Sequence, residues 1–488
     1  MRLETLLAGL DVLELHADPG IEISDVCYDS RTCTPGALFV AISGFAADGH
    51  RFIPAALGKG ACAVVCERAP ETECAYVLVR SARLALAQLG ANWFGHPADD
   101  MKIIGVTGTN GKTTSTYLLK SVLEQAAGAK VGLIGTIQNM IGDQVLHTER
   151  TTPESFELHR LFAQMRDAGC THVVMEVSSH ALVLERVGAI RFAVGAFTNL
   201  TEDHLDFHKT MEAYAEAKAI LFGRCERAVI NTDDPWAKTM IAAAAGPVLT
   251  YGIESQAALT ARSIALHADG VTFDAVWGGQ SYPVRLGIPG RFTVYNCLTV
   301  IGCALSLGLS PAQIADALAR AKGVKGRVEV IPTPGTDYTV LADYAHTPDA
   351  LENVLRTVRG FCKGRVIALF GCGGDRDPIK RPIMGKIGVD YADLAVITSD
   401  NPRTEDPNAI IADILKGVEG TKTPYVTIEN RPEAIYWAMA NARKDDVIVL
   451  AGKGHEDYQE INHVKYHLDE REVVADCLAR LAQEDNKC

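Results

Sequence analysis

The chain has 488 residues, of which 48% are hydrophobic and 22% are charged, with a formal net charge of −13. This balance excludes a generally disordered chain, since enough apolar surface can be buried to offset the entropy of ordering, and the length predicts about three domains. The excess of acidic residues excludes nucleic acid as the expected partner, because proteins that bind it concentrate Lys and Arg against the phosphates.

The cysteines and the longest apolar segment bear on the location of the protein. Thirteen cysteines are scattered without a C-x-x-C pair, which is typical of a reducing compartment. The acidic residues Glu4, Asp11 and Glu14 do not fit an export signal. The longest uncharged segment, residues 292–315, is interrupted by polar residues and Pro311, and it predicts a buried helix rather than a membrane span. We expect a cytoplasmic protein without membrane contact.

Short β-branched runs alternate with segments of helical period along most of the chain. The runs that predict strands lie at residues 102–108, 172–179, 191–199, 365–371, 394–400 and 446–452. The segments that predict helices lie at residues 113–124, 154–168, 211–222, 348–358 and 433–442. This alternation favours an α/β fold in which helices cover both faces of parallel sheets.

Two polar stretches divide these elements into three predicted domains. The sequence GHPADD at residues 95–100 follows a helical segment, and GVKGR at residues 323–327 precedes a strand-like run. Both have the character of linkers. We therefore predict domains at residues 1–98, 99–327 and 328–488, all of ordinary size.

The strongest local motif is IIGVTGTNGKTTS at residues 103–115, in which a strand leads through a Gly-rich turn into a helix. Gly108 and Gly111 allow successive backbone N–H groups to face one anion, Lys112 can reach the β- and γ-phosphates, and the Thr113 hydroxyl can bind Mg²⁺. Val106 stands where the usual pattern has glycine, and a Gly-rich turn without a ligand is the alternative. The residues predicted to contact ATP here are Gly108, Thr109, Asn110, Gly111, Lys112 and Thr113.

The octapeptide TGTNGKTT at residues 107–114 resembles the ATP loop of the Mur ligase family, which includes the folylpolyglutamate synthases. The resemblance extends from DSR at residues 29–31 to GKGHE at residues 452–456. It implies an N-terminal UDP-sugar-binding domain, a central P-loop-type ATPase domain with a parallel or mixed sheet, and a C-terminal Rossmann-like domain that binds an amino acid. The implied activity is ATP-dependent addition of meso-2,6-diaminopimelate to UDP-N-acetylmuramoyl-L-alanyl-D-glutamate through an acyl phosphate, in peptidoglycan synthesis.

Amide formation through an acyl phosphate brings anions together, so the site needs Mg²⁺ and fixed cations more than a strong base. From the residues alone, Glu176 could be an acidic strand cap and His204 a surface hydrogen-bonding group. The resemblance implies that both are ligands of two magnesium ions, together with Thr113 and Lys218. It also implies catalytic roles for Lys112, Glu176, His204 and Lys218.

Lys218 lies in YAEAKAILF, where the sequence alone indicates a solvated helix face. The resemblance implies instead that its amine reacts with CO₂ to form a carbamate, which replaces an ammonium with a carboxylate-like metal ligand. That reaction needs a neutral amine, which desolvation or a nearby cation provides.

The resemblance assigns further ATP contacts to four residues outside the loop. Asn296 is placed against the adenine, and Arg327, Asp343 and His346 reach ATP from the third domain. Without the resemblance, Arg327 is equally a linker residue and Asp343 a turn residue. If the assignments hold, ATP bridges two domains, and their closure assembles the site.

The UDP-sugar is expected against the first two domains. The resemblance implies that Ser30 binds the uracil end, although a tight turn is the alternative for this serine. Residues 45–47 are expected along the pyrophosphate, and a set from the central domain is expected to hold the muramoyl peptide. The residues assigned to this substrate are Tyr28, Ser30, Phe45, Ala46, Ala47, Thr151, Thr152, Ser178 and Arg186.

The incoming amino acid is expected in the third domain, where three loops follow strand-like runs and can converge at the carboxyl edge of one sheet. Arg403 is the discriminating residue, because a guanidinium binds a carboxylate in bidentate geometry and diaminopimelate, unlike lysine, has a second carboxylate at its far end. An exposed structural arginine is the alternative. Cys372 is interpreted as a small loop residue. The residues assigned to diaminopimelate are Arg376, Asp400, Asn401, Pro402, Arg403, Gly452 and Glu456.

Other functions are compatible with parts of this pattern. Within the family these are the lysine-adding ligase, disfavoured by DNPR at residues 400–403, and folylpolyglutamate synthase, disfavoured by the DSR-containing N-terminal domain. A regulatory protein that hydrolyses ATP slowly, or a structural assembly protein, would belong to other classes. Phosphate release that needs all three substrates distinguishes a ligase from these. We expect a monomer.

Overall fold

The computed structural model describes residues 1–44, 47–148, 150–321 and 323–485. The chain divides into two compact units. The first unit comprises residues 1–259 and 299–310, and the second comprises residues 260–298 and those from 311 onward. No helix of the described ranges is long and apolar enough to cross a bilayer. The twelve cysteines in these ranges are free thiols.

The first unit begins with five strands: β1 Val12–His16, β2 Asp25–Cys27, β3 Ala37–Val40, β4 Ala63–Cys66 and β5 Tyr76–Val79. They form one sheet in the order β1-β5-β4-β3-β2, in which only β1 pairs antiparallel. Its helices are α1 Leu3–Leu6, α2 Ile53–Gly58, preceded by a 3₁₀ turn at Gly49–Phe52, and α3 Ala82–Trp93. Ser81 caps α3 by accepting a hydrogen bond from the Leu84 N–H, and Leu86 and Leu89 of this helix pack against Val65 and Val77 in the core of the sheet.

Eight further strands of the first unit form the sheet that supports the phosphate loop. They are β6 Lys102–Thr107, β7 Val131–Ile134, β8 Asn139–Ile141, β9 Gln144–Leu146, β10 His172–Glu176, β11 Val194–Phe197, β12 Ala228–Asn231 and β13 Val248–Gly252. Their order is β13-β12-β11-β6-β10-β7-β8-β9. The strands from β13 to β7 are parallel, and β8 and β9 continue the sheet antiparallel. The carboxyl ends of β6, β10 and β11 therefore lie side by side.

The helices of this part are α4 Lys112–Ala127, α5 Ser155–Asp167, α6 Ser179–Val183, α7 Leu205–His208, α8 Met211–Ala219 and α9 Ala237–Ala243. The predicted helices at residues 113–124 and 154–168 are present as α4 and α5. The helix predicted at residues 211–222 ends earlier, at Ala219, and a 3₁₀ turn follows at Phe222–Arg224.

Strand β14 Leu259–His267 starts at residue 259, and its other residues belong to the second unit. Strands β15 Gly270–Trp277 and β16 Gln280–Leu286 follow and pair antiparallel. Helices α10 Arg291–Ser306 and α11 Pro311–Arg320 follow in the chain. The prediction of a single helix over residues 292–315 is therefore wrong. Gly308 has a φ of +95°, and Pro311 supplies no N–H but suits the first turn of a helix, so the chain ends one helix and starts another.

A six-stranded sheet forms the rest of the second unit. Its strands are β17 Glu329–Ile331, β18 Thr339–Asp343, β19 Val366–Phe370, β20 Leu394–Ile397, β21 Tyr425–Thr427 and β22 Val447–Ala451, in the order β17-β18-β22-β19-β20-β21. Only β17 is antiparallel to its neighbour. Strands β23 Tyr458–Ile461 and β24 Val464–His467 form a separate hairpin.

Two separate apolar clusters pack against this sheet, and they indicate that helices cover both of its faces. They are α12 Pro348–Arg359, α13 Lys380–Tyr391, α14 Pro407–Leu415, α15 Arg431–Ala440 and α16 Glu470–Asp485. The helices predicted at residues 348–358 and 433–442 correspond to α12 and α15. The predicted α/β fold with a largely parallel central sheet and a Rossmann-like C-terminal sheet is confirmed.

Candidate functional site

The phosphate loop connects β6 to α4 and depends on two glycines. Gly108 and Gly111 have φ values of +150° and +85°, which side chains other than glycine rarely allow. A Cβ at Gly108 would lie 1.9 Å from Oγ1 of Thr198, so this position also has no room for a side chain. The sequence predicts that the N–H groups of Thr109 and Asn110 face an anion. In the structure they donate to Asn199 instead, Thr109 to the carbonyl oxygen at 2.8 Å and Asn110 to Oδ1 at 2.9 Å.

Lys112 opens α4, where the N-terminus of the helix favours negative charge. Its Nζ turns back over its own loop and donates to the carbonyl oxygens of Gly108 at 2.8 Å and Thr109 at 2.9 Å. The ammonium thus lies on the loop that is expected to receive the phosphates.

Glu176 ends β10, and its buried carboxylate joins two neighbouring loops. Thr113 donates from its hydroxyl to both oxygens, at 3.0 and 3.1 Å. Thr136, which follows β7, donates from its N–H at 2.9 Å and from its hydroxyl at 3.1 Å. Thr136 is not predicted from the sequence, where its place after an apolar strand is its only signal. Hydroxyl and carboxylate oxygens are the ligands that Mg²⁺ prefers, so these groups fit that ion.

Lys218 lies on α8 and is buried, with 1% of its surface exposed. Its Nζ donates to the Gly108 carbonyl at 2.9 Å and lies 4.5 Å from the ring centre of Tyr214. Burial and the positive charge of Lys112 hold the pKa of Lys218 well below its usual range, while Asp203 opposes this shift. The solvated helix face that the sequence alone indicates is therefore wrong for this lysine.

His204 precedes α7 in the left-handed region, with a φ of +53°. Its ring centre is 5.0 Å from that of His180 and 6.1 Å from that of Tyr214, and its Nε2 is 3.5 Å from a carboxylate oxygen of Asp203. Within the described residues, no three His, Cys, Asp or Glu side chains are grouped closely enough to hold a metal. Tyr214 is thus near both His204 and Lys218.

The central-domain residues assigned to the UDP-sugar substrate meet next to Glu176. Thr152 donates to the Glu176 carbonyl at 2.8 Å and accepts from the Ser178 N–H at 3.2 Å. Arg186 donates to the Thr152 carbonyl at 3.0 Å and forms an ion pair of 2.8 Å with Glu154. The Thr151 hydroxyl is 3.0 Å from that of Thr136. These four side chains thus surround one end of β10.

The N-terminal residues assigned to the same substrate are more dispersed. Tyr28 donates to Glu157 of α5 at 2.8 Å, and burial and this carboxylate raise the pKa of its hydroxyl. Ser30 lies in a half-buried turn after β2, and Ala47 is exposed. Phe45 and Ala46 lie outside the described residues.

Three of the residues assigned to ATP in the second unit gather around Tyr344. The Arg327 guanidinium carbon is 5.5 Å from the ring centre of Tyr344, and Nδ1 of His346 is 2.8 Å from the Tyr344 carbonyl. Asp343 ends β18, and its carboxylate accepts from the Val328 N–H at 2.8 Å. Burial raises the pKa of Asp343, and Arg327 opposes that shift. Asn296 is buried on α10.

The loops assigned to the amino acid follow β19, β20 and β22, which are adjacent strands, so they meet at one edge as predicted. Arg403 donates to the Gly374 carbonyl at 2.7 Å, and Asn401 donates to Glu456 at 2.9 Å. A Cβ at Gly452 would lie 2.3 Å from a carboxylate oxygen of Asp400. Pro402 is buried in the same turn.

Two other side chains of these loops point elsewhere. Arg376 is exposed and donates to the carbonyl of its neighbour Asp375 at 3.1 Å. Cys372 is buried, with its Sγ 3.6 Å from Sδ of Met384, in agreement with its interpretation as a small loop residue.

Lys453 is a fully buried residue of this site that is not predicted from the sequence. Its Nζ donates to Oδ1 of Asn401 at 2.5 Å and to the Tyr458 carbonyl at 2.8 Å. It lies 3.4 Å from Glu456 and 3.5 Å from Asp400. Burial alone would raise the pKa of Asp400, but Lys453 and other cations lower it. A lysine between two glycines gives no pattern that indicates burial.

Three family models match the chain. The Mur ligase family catalytic domain matches residues 22–100, the Mur ligase middle domain matches residues 106–304, and the Mur ligase glutamate ligase domain matches residues 326–454.

Full-length relatives are also similar to the chain. A Clostridium tetani protein named UDP-N-acetylmuramoyl-L-alanyl-D-glutamate–2,6-diaminopimelate ligase is 48% identical over 99% of this chain and 100% of its own length. A Clostridium acetobutylicum protein with the same name, numbered 1, is 47% identical over 99% and 100%. A solved structure of a protein with this name superposes with a TM-score of 0.76 at 32% identity, covering 99% of both chains.

Proposed function

This chain belongs to the Mur ligase family, and we propose that it joins meso-2,6-diaminopimelate to UDP-N-acetylmuramoyl-L-alanyl-D-glutamate with conversion of ATP to ADP and phosphate. Relatives that are 48% and 47% identical over nearly the full chain are named for ligation of 2,6-diaminopimelate. Peptidoglycan synthesis is the pathway to which this reaction belongs.

The contacts of Glu176 are the observation that carries the proposal. Its carboxylate binds Thr113 of the phosphate loop, and its carbonyl accepts from Thr152, which is assigned to the muramoyl peptide. A nucleotide on the loop and a carboxylate beside Thr152 would therefore approach each other at the end of one strand. That proximity is what transfer of a phosphoryl group between them requires.

The proposed reaction has two steps. The substrate carboxylate attacks the γ-phosphorus of ATP, the bond to the β-phosphate oxygen breaks, and ADP leaves. The amine of diaminopimelate then attacks the acyl carbon, the bond to phosphate breaks, and the nitrogen loses a proton. Lys112 and the N-terminus of α4 stabilise the negative charge that both steps gather.

Thr113, Glu176, His204 and Lys218 are the residues proposed to hold Mg²⁺. When bound, Mg²⁺ neutralises charge on the phosphate oxygens. The carbamate on Lys218 is part of this proposal, and it is supported by the burial of the amine and by its lowered pKa, which favour the neutral form that reacts with CO₂. Lys112, Glu176, His204 and Lys218 together form the proposed catalytic set.

Two sets of residues are proposed to contact ATP. One comprises the loop residues Gly108, Thr109, Asn110, Gly111, Lys112 and Thr113. The other comprises Asn296 for the adenine, Asp343 for the ribose, and Arg327 and His346. Arg327 and His346 both contact Tyr344, which supports a common role.

The UDP-sugar substrate is proposed to lie along the N-terminal and central domains. Thr151, Thr152, Ser178 and Arg186 support this through their shared hydrogen bonds beside Glu176. The remaining residues of the proposed site are Tyr28, Ser30, Phe45, Ala46 and Ala47.

Diaminopimelate is proposed to bind Arg376, Asp400, Asn401, Pro402, Arg403, Gly452 and Glu456. Arg403 is proposed to bind the far carboxylate, which lysine lacks. The support is that Arg403 lies in a cluster with acidic side chains that can bind an ammonium group of diaminopimelate. Glu456 is one of these side chains, and it accepts a hydrogen bond from Asn401.

Three further properties remain predictions of this proposal: domain boundaries at residues 1–98, 99–327 and 328–488, a monomeric state, and a cytoplasmic location. Sedimentation equilibrium of the purified chain measures the oligomeric state. A dimer at micromolar concentration would contradict the prediction of a monomer.

The experiment that tests the function measures phosphate release with the UDP-dipeptide, ATP and a series of amino acids, and identifies the product by mass spectrometry. We expect release only when all three substrates are present, with meso-diaminopimelate as the preferred amino acid. Release that is independent of the amino acid would indicate a regulatory ATPase. Equal kcat/KM for L-lysine would contradict the specificity, and elongation of a folate with glutamate would indicate the folylpolyglutamate synthase activity.

A further inference from the structure

An ion pair between Arg403 and Glu460 links the amino-acid site to the β23–β24 hairpin. Nε of Arg403 lies 3.3 Å from Oε2 of Glu460, and the two side chains are 20% and 21% exposed. On its other side, Arg403 donates from Nη1 to the Gly374 carbonyl at 2.7 Å. The guanidinium is therefore held at two of its nitrogens by groups from two different loops.

The hairpin is attached to the loop of Arg403 through its backbone. The Glu460 N–H donates to Oδ1 of Asn401 at 2.9 Å, and the Glu460 carbonyl accepts from the Arg403 N–H at 3.0 Å. The Asn462 N–H donates to the Arg403 carbonyl at 2.7 Å. These bonds do not involve the side chain at position 460, so we expect them to survive its replacement.

Arg403 needs such a contact because its side chain is long and only partly enclosed. An arginine side chain loses about 2 kcal/mol of rotamer entropy when it is fixed, and its planar donors bind a carboxylate well in one orientation only. The Glu460 carboxylate at Nε and the Gly374 carbonyl at Nη1 select that orientation before substrate arrives. Among the described residues, the side-chain contacts of Arg403 are made by Nε and Nη1, which leaves the N–H groups of Nη2 for a substrate carboxylate.

We propose that Glu460 is a positioning residue that orients the Arg403 guanidinium for the far carboxylate of diaminopimelate. The inference rests on the proposed function and adds to it Glu460, a residue outside the motifs that indicated this function. Glu460 is not proposed to touch the reacting carboxylate or the attacking amine, and it acts through Arg403.

Charge alone would predict the opposite effect, since removing Glu460 leaves Arg403 more positive. Diaminopimelate carries two carboxylates and two ammonium groups, so its net charge at neutral pH is zero and its long-range attraction to the site changes little. The loss of orientation therefore outweighs the gain in charge, and binding weakens.

The test compares Glu460→Gln and Glu460→Ala with the unchanged chain in the phosphate-release assay. We expect the KM for diaminopimelate to rise about 5-fold for Glu460→Gln and about 10-fold for Glu460→Ala, as a contact of ordinary strength implies. The kcat and the KM values for ATP and the UDP-dipeptide should stay within about two-fold of the unchanged chain, which a general structural defect would not allow. Glu472→Gln, at an exposed position after the hairpin, is the matched control.

A double-mutant cycle separates positioning from other effects. In an Arg403→Ala background, Glu460→Ala should raise the KM for diaminopimelate by less than about two-fold, because the residue it positions is absent. A full increase in that background, or an unchanged KM in the single variants, would overturn the inference alone. If the unchanged chain joins no diaminopimelate at all, the proposed function and this inference both fail.

Discussion

Lys112 and Lys218 donate to the same acceptor, the carbonyl oxygen of Gly108, at 2.8 and 2.9 Å. One lysine comes from the helix that follows the phosphate loop and the other from α8. Two ammonium groups on one oxygen repel each other, and Lys218 is the more buried of the two. Burial, and after it the repulsion by Lys112, lower the pKa of Lys218, which favours the neutral form of its amine.

Removal of the Lys218 amine should abolish ligation. We expect Lys218→Ala to lower kcat by at least about 1,000-fold, and formate or acetate to restore part of the activity by supplying the missing carboxylate. Mass spectrometry under CO₂ should detect roughly 44 Da of added mass on Lys218 of the unchanged chain, the mass of one CO₂. Lys238→Ala, at an exposed position on α9, is the control. Full activity of Lys218→Ala without any carboxylate would contradict the prediction.

Replacement of Glu176 should change the requirement for magnesium. Glu176→Gln keeps the size of the side chain but removes the charge that faces Thr113 and Thr136. We expect about 10-fold more Mg²⁺ to be needed for half-maximal phosphate release, since a charged oxygen ligand is replaced by a neutral one. Glu226→Gln, an exposed change in the same unit, should leave the Mg²⁺ titration unaltered. Superimposable titrations for Glu176→Gln and the unchanged chain would rule out this role.

His159 should make the stability of the chain depend on pH. It is buried between α5 and α3, neither of its ring nitrogens has a partner among the described residues, and burial lowers its pKa to about 4. The unfolded chain, with an ordinary pKa of 6.5, binds a proton that the folded chain does not. The contribution of neutral His159 to the free energy of unfolding is therefore fully present above about pH 6.5. The free energy of unfolding falls as the pH decreases toward 4, by about 1.4 kcal/mol at pH 5.5.

Urea unfolding at pH 7.5 and 5.5 measures this effect. His159→Leu should remove about 1.4 kcal/mol of the difference in unfolding free energy between the two pH values. His147→Leu, at an exposed position, should preserve that difference. If the free energy of unfolding of His159→Leu differs between the two pH values by as much as that of the unchanged chain, another group titrates.

Arg403 should determine the choice of amino acid. We expect Arg403→Ala to lower kcat/KM for meso-diaminopimelate about 100-fold, equivalent to roughly 2.7 kcal/mol, because a charge-assisted contact to the far carboxylate is lost. The kcat/KM for L-lysine should change much less, so the preference for meso-diaminopimelate over L-lysine decreases. Arg356→Ala, exposed on α12, is the control. A parallel loss for both amino acids would assign Arg403 a structural role instead.

Lys453 should be required for stability as well as for the site. Lys453→Met keeps most of the volume but leaves Asn401, Glu456 and the Tyr458 carbonyl without their buried partner. We expect the free energy of unfolding to fall by about 3 kcal/mol, the usual effect of breaking a buried charged network. Urea unfolding measures it, with the exposed Lys444→Met as the control. A change below about 1 kcal/mol would mean that the buried ammonium is not needed.

Much of the fold and the position of the phosphate loop could be predicted from the sequence alone. The alternation of apolar runs and helical periods predicts the parallel sheets, and the glycines of residues 105–111 predict the turn after β6. These signals are local, because side-chain period and glycine's backbone freedom act over a few neighbouring residues. The split between α10 and α11 was also available locally, since Pro311 starts the second helix.

The partners of the key side chains depended on the tertiary structure. Nothing near Lys218 in the sequence indicates that it is buried on the Gly108 carbonyl, and Glu460 lies far along the chain from Arg403. Such contacts join segments that are separated by tens of residues along the chain, and only the tertiary packing brings these segments together. The chain's local pattern thus determined the elements and the phosphate loop, whereas burial, shared acceptors and lowered pKa values follow from which distant elements pack together.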